Sequence, residues 1–148
     1  MTPIAPPQAG TPFQQLIRLY HIITPLFEQV VGISVARWRV LISLYNHGQM
    51  SQSELQQHLQ VDPAAITRQA KQLEEEGLIR RWSNPQDNRS ILVVLTESGR
   101  ELVANLIERR NHFESEVMHN ISREDLDVME RCLAQIRTNV RTLSETLA

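Results

Sequence analysis

One short stretch, Asp62 to Glu76, gathers side chains that could read a nucleic acid. Thr67, Arg68, Gln69, Lys71 and Gln72 fall between the apolar positions Ile66, Ala70 and Leu73 of a helical pattern. Guanidinium, ammonium, amide and hydroxyl groups at such positions can bond base edges or phosphates, and small residues such as Ala64 and Ala65 allow close approach and contact with a thymine methyl. Asp62-Pro63 reads as an N-cap followed by proline at the first helical position. The positive end of that helix then favours a nearby phosphate. An arginine and a lysine on a helix are also what an ordinary solvated face looks like, so the surrounding elements have to decide.

Ser51 and Glu54 have capping-box spacing at the start of a short helix whose Leu55 and Leu59 face inward. Gln60-Val61 joins it to the helix that Asp62 caps, which runs to Glu76 and stops at Gly77. Two short helices with a tight turn make a helix-turn-helix. Leu78 to Trp82 reads as a strand and Ile91 to Leu95 as its β-branched partner, with a polar loop at 83–90 between them. A hairpin in that place is a wing. The fold expected is therefore mainly α with a small β-hairpin wing, an α/β winged helix-turn-helix with about six helices.

The flanks are helical. Residues 1–12 hold four prolines and no period, and read as a flexible arm. Phe13, Leu16, Ile17, Tyr20, Ile23, Phe27 and Val30 mark a first helix that Pro25 should kink or divide and Gly32 should end. Ser34 caps a second helix carrying Trp38, Leu41, Ile42 and Tyr45 and stopping at Asn46-His47-Gly48. Thr96 and Gly99 open a long helix reaching about Asn120, and Ser122 with Asp125 caps the last. On that last helix Leu126, Met129, Leu133, Ile136, Val140, Leu143 and Leu147 keep a heptad seam. Such a seam wants a partner, either the chain's own helices or the same helix of a second subunit. Dimerisation is the reading preferred here, with Phe13, Leu16, Ile17, Leu133, Ile136, Val140, Leu143 and Leu147 at the interface.

Composition narrows the class. Fifteen basic against seventeen acidic residues give a net charge of −2, so a nucleic-acid reading rests on where the charges sit, not on their sum. Apolar runs such as Ile91 to Leu95 are too short to span a bilayer, the N-terminus lacks a signal-peptide pattern, and the lone Cys132 suits a reducing compartment. A cytoplasmic protein is expected. Gly-rich phosphate loops, nucleophile elbows and Ser/His/Asp or Cys/His signatures are missing from the sequence, which argues against an enzyme.

With those elements in order, the sequence resembles the multiple-antibiotic-resistance regulator (MarR) family. The resemblance is carried by Trp38-Arg39-Val40-Leu41, Ser51-Gln52-Ser53-Glu54-Leu55, Ile66-Thr67-Arg68, Leu73 through Arg81, Asn84-Pro85, Asp87-Asn88-Arg89 and Leu95-Thr96-Glu97-Ser98-Gly99. It implies one domain over 13–148. Residues 34–99 would form the DNA-binding lobe, and 13–32 with 100–148 the helical dimerisation region. It also implies a homodimeric regulator, most often a repressor, that binds a palindromic double-stranded DNA operator and releases it on binding a small phenolic or anionic effector. No cofactor is required. The DNA contacts implied are Ser51, Ala64, Ala65, Thr67, Arg68, Gln69, Lys71, Gln72, Asp87 and Arg89. Arg89 would enter the minor groove from the wing tip, its guanidinium held by Asp87. Asn88 stands where the family commonly has a first arginine, so only Arg89 takes that role. Arg18, Tyr20, His21, Trp38 and Arg39 are the candidate effector residues, against the plainer reading of Trp38 as core and the arginines as ion-pair partners.

Other readings stay open: a winged helix that recruits a protein instead of DNA, or a regulator of this fold that senses metal or redox state. His112, Glu116 and His119 would share one helical face, and Cys132 neighbours the seam residue Leu133. Solvated surface and simple packing are the plainer explanations, and no metal is expected.

Overall fold

The computed structural model describes residues 10–148. The arm expected over 1–12 lies, for residues 1–9, outside the described residues. The elements run α1 (Pro12–Val31), α2 (Val35–His47), β1 (Met50–Ser51), α3 (Gln52–Leu59), α4 (Pro63–Glu75), β2 (Ile79–Asn84), β3 (Asp87–Leu95), α5 (Glu97–Val117) and α6 (Arg123–Leu147). They group into two compact units, one through Phe113 and one from Glu114 onward.

Local capping chemistry sets most boundaries. Ser34, Ser51, Asp62 and Ser122 each accept the backbone N–H three residues on, satisfying a donor that a helix start leaves bare. Thr11 does the same for Gln14, whose side chain answers the Thr11 N–H, so α1 begins at Pro12, a residue before its apolar period shows. Pro25 does not divide α1, which stays one helix to the left-handed cap at Gly32. Gly77 turns the chain at φ 74° after α4.

The hairpin expected from sequence is there, with longer strands and a third member. β3 pairs antiparallel with β2 on one side and with the two-residue β1 on the other. β1 comes from the residues just before α3, so the sheet clasps the helix-turn-helix at its entry. Between Ser83↔Ile91 and Asn84↔Asp87 the register slips, and residues 88–90 find no partner on β2. A bulge of this kind bends the strand and re-aims its side chains.

Leu41, Leu44, Leu55, Leu59, Ile66, Ala70, Leu73, Ile79, Val93 and Leu95 bury in one core joining α2, α3, α4 and the sheet. Val103 and Leu106 of α5 belong to it, and Phe113 closes it edge-on to Phe27 with ring centroids 5.6 Å apart. Thr96 fastens α5 to the lobe: its Oγ1 donates to the Gly77 carbonyl at 2.6 Å and accepts from the Gly99 N–H at 3.0 Å. A Cβ on Gly99 would stand 2.1 Å from the Leu78 carbonyl oxygen. Gly99→Ala must therefore push α5 off the start of β2, and is expected to cost about 1–3 kcal/mol in urea unfolding.

In the second unit, α6 is amphipathic but has no buried residue. Leu126 and Met129 are half-covered, while Leu133, Ile136, Val140, Leu143 and Leu147 are exposed.

Candidate nucleic-acid interface

A groove opens where α3, α4 and the wing meet. Gln52, Ser53 and Gln56 of α3, Pro63 and Thr67 of α4, and Arg89 of β3 line it, over a floor of Ile66 and Ile91. The three α3 residues were not singled out from sequence, although their spacing puts Gln52 and Gln56 on one face. Ser51, expected as a contact, spends its hydroxyl on the Glu54 N–H and gives its own N–H to the Glu54 carboxylate. It positions α3 and does not line the groove.

Along α4 the expected contacts divide between two sides. Ala64, Arg68, Lys71 and Gln72 are exposed, and Thr67, half-covered, faces the groove with its hydroxyl donated to the Pro63 carbonyl at 3.0 Å. Ala65 and Gln69 turn the other way. They line a cleft of about 90 Å³ against Ala36, Arg39 and Val40 of α2, where the Gln69 Oε1 is buried without a hydrogen bond. Further along that side Arg37 grips the Glu76 carboxylate with both terminal nitrogens. The side of α4 facing α2 is thus structural, which removes Ala65 and Gln69 from the outward set.

One guanidinium also ties the wing to both helices. Arg81, whose side chain is 15% exposed, pairs with Glu74 at 3.2 Å and donates to the Gln52 side chain at 2.9 Å. Its backbone N–H also donates to Glu74 at 2.9 Å. β2, α4 and α3 are fixed to one another at that point, so the groove is preformed. The bulge then brings Arg89 into the groove wall instead of leaving it at the turn, and its guanidinium has no partner among the described residues. Asp87 does not hold that guanidinium; its Oδ1 accepts the Arg89 backbone N–H at 3.1 Å. The carboxylate shapes the bulge and leaves the arginine free.

The five candidate effector residues are not brought together. Trp38 is core, beside Phe27 with ring centroids 6.5 Å apart. Arg39 donates to the Leu59 carbonyl at 2.6 Å and lines the small cleft behind α4. Arg18, Tyr20 and His21 are exposed on α1, Tyr20 and His21 with their rings edge to face. The triplet His112, Glu116 and His119 fails for a plainer reason. α5 ends at Val117, so His119 leaves its helical face, and no group of three metal-ligating side chains occurs among the described residues.

Two short helices, a preformed groove and a three-stranded wing describe a winged helix. Residues 33–91 match the model of the MarR family. A Bacillus subtilis (strain 168) protein, the HTH-type transcriptional regulator YdgJ, is 37% identical over 129 residues, covering 87% of this chain and 79% of its own. The chain belongs to the MarR family. Among solved structures, the PcaV transcriptional regulator from Streptomyces coelicolor, in complex with its natural ligand, superposes with a TM-score of 0.79 at 20% identity, over 91% of this chain and 97% of that one. A mutant of MarR from E. coli complexed with operator DNA gives a TM-score of 0.74 at 25% identity, over 86% and 99%. Among the described residues the expectation of about six helices with a small wing holds, and the chain is a MarR-family transcription regulator. No single helix among the described residues is long and apolar enough to cross a membrane.

Proposed function

We propose that this MarR-family regulator is a homodimeric repressor that reads a palindromic operator with α4 in the major groove of each half-site. The observation that carries the reading is the groove, with Thr67 on its α4 side and the unpartnered Arg89 on its wing, and with Arg68 and Lys71 exposed on the same helix. On an acidic chain, free cations at a concave face between two helices and a wing are the footprint expected for phosphate and base recognition. Arg68 supplies the bidentate donor for a base edge, Lys71 and the N-terminus of α4 meet phosphates, and Arg89 reaches the flanking minor groove.

A second copy of the chain supplies the symmetry. The seam on α6 leaves Val140 59% exposed and Leu147 80% exposed, and on α1 Phe13 and Ile17 are exposed with Leu16 half-covered. Two such apolar faces on terminal helices are best covered by their own counterparts, giving an isologous interface. Each lobe of 34–99 then takes one half-site, with 13–32 and 100–148 as the dimerisation region. Repression follows from occupancy of a promoter-proximal site, in the cytoplasm. A small phenolic or anionic effector releases the operator; that the PcaV regulator, of the same fold, has a natural ligand supports the effector.

Selection of duplexes from a random pool by the purified protein tests the reading. Enrichment of an inverted repeat with half-site centres about one helical turn apart is the expected result. A pool left unenriched even at low salt, where phosphate contacts are strongest, would reject it in favour of a protein-recruiting module.

A further inference from the structure

Away from the groove, two histidines from different helices meet. His47 lies in the last turn of α2 and His58 in the last turn of α3, with ring centroids 4.8 Å apart and planes at 67°. His47 Nδ1 is 3.0 Å from the Ser43 carbonyl oxygen. A carbonyl only accepts, so Nδ1 carries the proton, and in the neutral ring Nε2 is the nitrogen with the lone pair. A backbone carbonyl orients the ring of a metal-ligating histidine in the same way.

We propose that His47 and His58 form a two-imidazole site for a late first-row divalent ion of the Cu(II), Ni(II) or Zn(II) class. Metal–nitrogen bonds of about 2.0–2.1 Å place each ring centroid about 3.2 Å from the ion. Bond angles from about 90° to about 109° then require centroids roughly 4.5–5.2 Å apart, and the observed 4.8 Å falls inside that range. Both rings sit at helix C-termini, whose partial negative charge favours a cation. Both are exposed, so water completes the coordination and the ion exchanges freely. His58 is off the face of α3 that carries Gln52 and Gln56, so the ion bridges α2 and α3 behind the groove without touching nucleic acid.

The test is a titration of the intact protein with Cu(II) in a non-coordinating buffer at mildly alkaline pH, read by calorimetry and electron paramagnetic resonance. A single ion per chain is expected, with the signature of two equatorial imidazole nitrogens. His47→Gln and His58→Gln should each weaken binding at least about tenfold. Neither ring is part of the core, and far-UV circular dichroism should confirm that both variants fold. Unchanged affinity in both variants, or a spectrum without paired nitrogens, marks the copper as adventitious surface binding only and overturns the site.

Discussion

Arg68→Ala is expected to weaken operator binding by about 2–6 kcal/mol per dimer, from roughly thirty-fold to roughly twenty-five-thousand-fold. A good bidentate contact to a base is worth about 1–3 kcal/mol of discrimination, and a symmetric dimer loses two. Arg68 is exposed on α4 and makes no hydrogen bond or ion pair among the described residues, so its removal leaves the fold intact. Fluorescence anisotropy on the selected operator and on a scrambled duplex separates the alternatives. Specific binding should fall far more than scrambled binding, lowering the ratio between them. Equal losses on both duplexes would make Arg68 a phosphate contact and move base reading elsewhere on α4.

Arg89→Ala is expected to have the opposite signature. Its guanidinium stands free on the groove wall, so the variant should bind every duplex more weakly and keep its sequence preference. A guanidinium in the minor groove also neutralises phosphate charge, and each charge neutralised contributes about 0.9 to the slope of log affinity against log salt, so losing one per subunit should flatten the slope by about two. The thermal midpoint should not move, because the Asp87 carboxylate that shapes the bulge bonds the Arg89 backbone and not its side chain. An unchanged salt slope would show that the wing does not reach the duplex.

The parts of this molecule that were legible in its sequence are the parts fixed by near neighbours in the chain. Ser34, Ser51 with Glu54, Asp62 with Pro63, and Ser122 announce helix starts because a cap and its target lie three residues apart. The stripe Leu55, Leu59, Ile66, Ala70 and Leu73 announces the core of the helix-turn-helix for the same reason. Long-range pairing was not legible. Met50 and Ser51 become a strand only because Val93 and Leu92, about forty residues on, lie opposite them. Periodicity identified the buried stripe of α4, but not that α2 would cover the flank bearing Ala65 and Gln69. Likewise Asp87 and Arg89 read as a side-chain pair two residues apart, and only the bulge reveals that the aspartate caps backbone instead. The α3 contribution of Gln52, Ser53 and Gln56 was hidden because polar residues on a short helix look like solvated surface until a wing closes beside them.

Dimethyl sulfate interference on the selected operator tests the central claim most directly, because methylation of guanine N7 blocks the major groove alone. Two symmetry-related clusters of interference about one helical turn apart are predicted, and in Arg68→Ala the guanine in each cluster that the arginine contacts should lose its effect. A single cluster, or none while binding persists, would contradict a dimer that reads two half-sites through α4.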